Sequence, residues 1–227
     1  MEPKEIIQAA LNRGQTALSE YDSKRLLDAF GIPITREALA ATEEEAAAFA
    51  RKLGYPVVMK GCSPRLMHKS DQGWIELNVD SEDQVRRTFQ RFVRKAEAPL
   101  DGVLIQEKIL GPRELVIGMN RDPQFGVCVM LGLGGVMTEV FKDTVFRVAP
   151  FDLPEARDMT EELRSKDLLG PFRGQAPADI EALCRALTAV GTLGMELEAI
   201  TELDANPVII DPQGRIVAVD ALVVLEG

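Results

Sequence analysis

The run Pro56-Val57-Val58-Met59-Lys60 closes an apolar stretch on a lysine, and the loop after it, Ser63 to Asp71, carries the only histidine, His68. An ammonium taken out of water loses several kcal/mol of hydration unless an anion meets it. A lysine ending a core strand therefore either snorkels back to solvent or is held by an anion, of which a nucleotide phosphate is one. A neutral imidazole is a competent nucleophile near pH 7. The pair points to phosphate chemistry, with a hydrogen-bonded loop histidine as the plainer reading of His68.

A second constellation lies near the C-terminus. The turn Asp211-Pro212-Gln213-Gly214 folds the chain back on itself. Residues whose numbers sum to about 425, give or take one for a bulge, then face each other across the hairpin. Asn206 falls beside Val219 and within one step of Asp220. An amide oxygen and a carboxylate at neighbouring positions are hard donors of the kind Mg²⁺ takes while sharing its other positions with water and nucleotide phosphates. Ordinary turn chemistry at Asn206-Pro207 is the alternative.

Between the two lie weaker candidates. Gln106-Glu107-Lys108-Ile109 ends an apolar strand where exposed backbone groups can meet an adenine edge. Glu114 starts the next strand, where it accepts from ribose hydroxyls or faces water. Arg147 can clamp a phosphoryl group through its planar fork or pair with a surface carboxylate. Gly132-Leu133-Gly134-Gly135 lacks the lysine–serine tail of a P-loop and carries little by itself.

The elements that must position these groups are marked by their ends. Ser19 with Asp22 opens a helix with Leu26, Leu27 and Phe30 on its apolar face, stopped by Gly31 and Pro33. Thr42 with Glu45 and Ser81 with Gln84 are capping boxes. Strand-like runs at Pro56–Lys60, Trp74–Val79 and Val103–Glu107 give the order strand, helix, strand, strand, helix, strand, an α+β unit to about Lys108. The second half begins with strands at Glu114–Met119, Gly126–Leu131 and Phe146–Ala149. Helices follow near Pro154–Arg164 and from Pro177, then two strands, near Leu197–Leu203 and Arg215–Val219. Two α+β lobes, residues 1–108 and 109–227, with a ligand cleft between them is the economical arrangement.

Composition narrows the function classes. A net charge of −10 argues against broad nucleic-acid contact, although a local basic pocket is compatible with it. Cys62, Cys128 and Cys184 have no paired spacing and are expected as free thiols in a reducing compartment. No leader pattern opens the sequence and no apolar run approaches the ~20 residues of a membrane span, so a cytoplasmic location is expected.

In this order the motifs resemble the ATP-grasp domain of the ADP-forming acyl-CoA synthetases, specifically the β subunit of ADP-forming acetate–CoA ligase. The carrying segments are Tyr21-Asp22-Ser23-Lys24 through Gly31-Ile32-Pro33, Pro56–Lys60, Ser63–Asp71, Asp122–Gly126, Gly132–Pro150 and Glu202–Pro207. The resemblance implies an ATP-grasp fold holding ATP or ADP with Mg²⁺ between two lobes. It implies Lys60 as phosphate contact, Gln106, Glu107 and Ile109 near adenine and ribose, and Glu114 as a second nucleotide-side carboxylate. Asn206 and Asp220 become Mg²⁺ ligands, His68 a transient phosphoryl acceptor and Arg147 a phosphate contact. It also implies a partner, the α subunit with the CoA and principal phosphohistidine sites, in an α2β2 assembly. One position departs from the pattern: Gln72-Gly73-Trp74 puts an indole where the family has a second glycine. Either Trp74 turns to the core or nucleotide binding is altered. A non-catalytic ATP-grasp module and a stand-alone carboxylate–amine ligase are the alternatives, the first supported by Trp74, the second opposed by the histidine loop.

Overall fold

The computed structural model describes residues 2–64, 66, 73–98, 100–135 and 143–226. The chain forms two compact units, one of residues 35–108 with 19–21, the other of residues 109–227 with 1–18 and 22–34. Among the described residues both sheets are antiparallel with helices packed on them, an α+β architecture.

The helices α1 (Pro3–Asn12) and α2 (Glu20–Ala29) open the chain. The first unit then runs β1 (Glu37–Ala40), α3 (Glu43–Leu53), β2 (Val57–Cys62), β3 (Ile75–Val79), α4 (Glu82–Lys95) and β4 (Gly102–Glu107), the order expected from the sequence. The strands lie in the order β1-β4-β2-β3. Alternation sends Val57, Met59, Val103 and Ile105 into one core with Ala46 and Ala50 of α3 and Val85, Phe89 and Phe92 of α4. Both helices start as read: Thr42 Oγ1 accepts the Glu45 N–H at 3.2 Å and Ser81 Oγ accepts the Gln84 N–H at 3.4 Å. The return arms reach one residue further back than in a capping box, since Ala41 N–H donates to Glu45 and Asp80 N–H to Gln84.

Trp74 belongs to this core. Its ring centroid lies 5.7 Å from that of Phe92, and Lys95 Nζ sits 5.0 Å from the indole centroid. Gly61 on β2 makes the space: a Cβ there would lie 2.6 Å from Trp74 Cε3. The departure noted in the sequence is thus a packing feature. Gly61→Ala is expected to lower stability by about 1–3 kcal/mol through overpacking, read as a shift in the urea midpoint. An unchanged midpoint would mean that the indole moves aside at no cost.

The second unit contains β5 (Arg113–Asp122), β6 (Gly126–Leu133), β7 (Thr144–Val148), α5 (Leu153–Glu162), α6 (Ile180–Glu196), β8 (Ile200–Ile210), β9 (Ile216–Ala218) and β10 (Ala221–Leu225). Its sheet runs β10-β8-β5-β6-β7, with β9 also paired to β8. Leu115, Ile117, Val129, Leu131, Leu203 and Val223 face one core with Leu183, Leu187 and Val190 of α6. The sequence reading stops at two C-terminal strands; β10 is a third, resuming after Val219-Asp220.

The N-terminal helices require a correction. Residues 1–34 were expected with the first lobe, yet 1–18 and 22–34 pack with residues 109–227. Their apolar faces, Ile6, Ile7 and Ala10 on α1 and Leu26 and Leu27 on α2, complete the core of the second sheet. Ile34 bridges to Ala218 beside β8. Amphipathicity shows that a helix must cover something without naming the sheet. Cys62 and Cys184 are buried, Cys128 is half-buried, and none of the three is in a disulfide. No helix among the described residues is long and apolar enough to cross a membrane.

Candidate functional site

The C-terminal hairpin falls within the expected register. Val208 stands opposite Ala218 and Ile210 opposite Ile216, and β10 continues with Ala221 opposite Ala205. The Asn206 N–H donates to the Asp220 carbonyl at 3.1 Å, so these two residues are direct neighbours across the strands. Asp211 closes the turn, its carboxylate accepting the Gln213 and Arg215 N–H groups at 2.9 Å and Arg215 Nε at 2.7 Å. On the other side of the pair, the fully buried Lys24 of α2 donates to the Val219 carbonyl at 3.3 Å.

One acidic residue here escaped the sequence reading. Asp204 precedes Asn206 by two on β8, the strand spacing that puts both on one face. Desolvation pushes its carboxyl above the usual carboxylate range; the Asn206 amide pulls it down and the Asp220 charge pushes it further up. That face of the sheet carries Val116, Gly118, Met130, Phe146, Glu202, Asp204 and Asn206 around a hollow of about 460 Å³. Among the described residues no three His, Cys, Asp or Glu side chains gather for a metal. The donor set is two carboxylates and an amide, and burial raises one of the carboxyls. A hard divalent cation that keeps several waters suits such a set.

Glu114 pairs with Ile209 and so shares this face. Gly134 donates to its carbonyl at 2.7 Å, and a Cβ on Gly135, which sits at φ +71, would lie 2.7 Å from Glu114 Oε2. Gly134 lets the chain lie against the β5 backbone and Gly135 lets it lie against the carboxylate. A cavity of about 720 Å³ adjoins it, lined also by Asp143, Arg164 and Ser165. Asp143 accepts the Arg164 and Ser165 N–H groups at 3.0 and 2.8 Å. Burial pushes its carboxyl up, but the bonds from the Ser165 side chain and from both N–H groups outweigh it, and the group lies below its ordinary value. Beside Glu114, the buried Arg113 donates to the carbonyls of Leu168, Gly170, Ala176 and Asp211 at 3.2, 3.0, 2.8 and 3.4 Å, fastening the cavity's outer wall.

In the first unit Lys60 is held by an anion and does not snorkel. Its Nζ lies 2.6 Å from Glu20 Oε1, with the two side chains 4% and 1% exposed. Gln106 is fully buried and shares the Lys60 face of the sheet, two residues along β4 from Leu104, the register partner of Lys60. The Glu107 carboxylate accepts the Arg36 N–H at 2.7 Å and Arg36 Nε at 2.8 Å. Ile109 is half-buried just past β4. His68 and the rest of its loop at 67–72 lie outside the described residues, as do residues 136–142 of the Gly132–Pro150 segment.

Arg147, expected as a phosphate contact, is placed elsewhere. It pairs with Val129 and therefore lies on the helix-covered face, whereas Phe146 and its partner Met130 share the face of Asn206. Its fork engages Glu162 of α5 at 2.6 and 3.2 Å, and that bond holds the guanidinium above its ordinary value. The surface-carboxylate alternative is the one observed, because one residue along a strand reverses the face.

Residues 9–225 match the family model for an ATP-grasp domain. The chain belongs to the ATP-grasp family. Within it, the chain is 40% identical over 233 residues to the β subunit of acetate–CoA ligase [ADP-forming] II of Pyrococcus furiosus, covering 100% of this chain and 99% of that one. Among solved structures, a chain of Ca. Korarchaeum cryptofilum dinucleotide-forming acetyl-coenzyme A synthetase 1, in complex with coenzyme A, Ca-AMPCP and HgCl⁺, superposes with a TM-score of 0.92 at 42% identity over 99% of this chain and 100% of that one. A second structure of that protein, with coenzyme A, Mg-AMPPCP and a phosphohistidine segment pointing towards the nucleotide binding site, gives a TM-score of 0.87 at 41% identity over the same 99% and 100%.

Proposed function

We propose that this chain is the nucleotide-binding β subunit of a cytoplasmic ADP-forming acyl-CoA synthetase, working with an α subunit in an α2β2 assembly. The overall reaction is acid + CoA + ATP ⇌ acyl-CoA + ADP + phosphate. The observation that carries the reading is the adjacency of Asn206 and Asp220, with Asp204 on the same sheet face, in a chain similar along its whole length to an acetate–CoA ligase β subunit.

Asn206, Asp220 and Asp204 would hold Mg²⁺, which supplies charge neutralisation for the polyphosphate. Lys60 adds a fixed positive charge for a phosphate, and Glu114 accepts from ribose hydroxyls. The backbone at Gln106 and Ile109 meets the adenine edge, with Glu107 beside it. His68 takes the phosphoryl group in passing: an N–P bond forms on its neutral imidazole as the N–P bond to the α subunit's phosphohistidine breaks, and the new bond breaks in turn as an O–P bond forms on the terminal phosphate of ADP, leaving a neutral imidazole. Phosphoryl transfer asks a protein chiefly for positioning and charge compensation, and these are groups of that kind. Arg147 has no part in this reading, since Glu162 occupies its fork. The alternative of a non-catalytic module loses its support with Trp74 packed on Phe92.

The purified chain is expected to bind Mg-ADP yet give no CoA-ligase turnover until the α subunit is added. Labelled ATP with both subunits is then expected to leave acid-labile, base-stable phosphate at His68. Robust turnover by the isolated chain would sink the two-subunit reading.

A further inference from the structure

The Lys60 counter-ion comes from a residue that no sequence motif assigned to the site. Glu20, the first residue of α2, lies in the short segment Ser19–Tyr21 that clusters with residues 35–108 while its neighbours on both sides cluster with the other unit. Its carboxylate meets Lys60 Nζ at 2.6 Å with both side chains nearly inaccessible to water. On β2, Lys60 has the apolar Ile75 and Leu104 as its register partners on β3 and β4. An ammonium in such surroundings keeps its proton only with an anion at hand.

We propose that Glu20 is a positioning residue for Lys60, keeping the ammonium charged and fixing its direction so that it can meet a nucleotide phosphate. The proposal rests on the nucleotide-site reading of Lys60. An ammonium has three donors, so a bond to Glu20 and a bond to phosphate are compatible. Among the described residues the sheet also brings Glu37 to this face, opposite Gln106 on β1, where its Oε2 accepts from Thr35 Oγ1 at 2.8 Å. Among the described residues, Glu20 is the carboxylate seen in direct contact with Lys60 Nζ.

Mg-ADP calorimetry on four variants tests this. Lys60→Met and Glu20→Gln are each expected to weaken binding about tenfold or more, the effect of uncoupling a buried charge pair. Glu20→Asp, with the charge kept at shorter reach, is expected to recover part of the affinity. In the Lys60→Met background, Glu20→Gln is expected to cost nothing further, an absence of additivity that a merely structural role would not produce. Loss in Lys60→Met with none in Glu20→Gln, tighter binding in Glu20→Gln, or additive losses would each overturn the inference alone. Unchanged affinity in Lys60→Met would overturn the nucleotide reading of Lys60 and this inference with it. Should Glu20→Gln fail to fold, Glu20→Asp carries the test, with a several-fold loss expected and wild-type affinity overturning the proposal.

Discussion

Asp220→Ala is expected to lower Mg²⁺-dependent ADP affinity by at least about 100-fold, more than the loss of an outer-shell partner produces, and to abolish phosphoryl transfer in the assembled enzyme. The reason is local. Asp220 is the carboxylate set directly against Asn206 by the strand register, and its charge already acts on Asp204. Removing it takes away a hard donor and leaves Asn206 and Asp204, too few for a cation that also holds a polyphosphate. The fold should not suffer, because two mutually repelling carboxylates become one. Calorimetry with ADP at fixed and at zero Mg²⁺, beside a urea titration, separates the outcomes. Equal Mg²⁺ dependence in wild type and variant would remove Asp220 from the metal site.

Much of this arrangement could be read from short-range patterns. The caps at Thr42 and Ser81 act through groups three residues away, and the turn at Asp211 sets the register that joins Asn206 to Asp220. What escaped was long-range. Glu20 and Lys60 are 40 residues apart, and an acidic residue at a helix start reads as a favourable end charge until the fold supplies a buried lysine. The destination of α1 and α2 is likewise a property of the sheet they cover. Arg147 lies on the face opposite Asn206, and its strand gave no clue to which face was open: β7 has burial that does not alternate cleanly. Asp204 was within reach, since a polar residue two before a metal candidate on a strand must share its face.

Arg113→Ala is expected to destabilise the protein by about 3 kcal/mol or more, the scale of leaving several buried acceptors without their donor. A lone arginine at a strand start looks like surface charge, but this one is 2% exposed. Its fork reaches carbonyls of Leu168, Gly170 and Ala176 in one stretch and of Asp211 at the turn before β9, both well removed from Arg113 in sequence. Burial pushes the guanidinium below its ordinary value and the Asp211 charge pushes back. It remains a cation, so the carbonyl dipoles are what offset its desolvation. Arg113→Lys is not a rescue, because a single ammonium cannot span acceptors arranged for a planar fork. A urea titration at neutral pH reads both variants. Losses under about 1 kcal/mol, the range of an ordinary surface change, would mean that the wall around Leu168 is held by other contacts. If the larger loss is found, ADP affinity should fall with it at temperatures where the variant stays folded, because Glu114 and Leu168 of the wall flank one cavity and Arg113 ties the strand to the wall through three bonds.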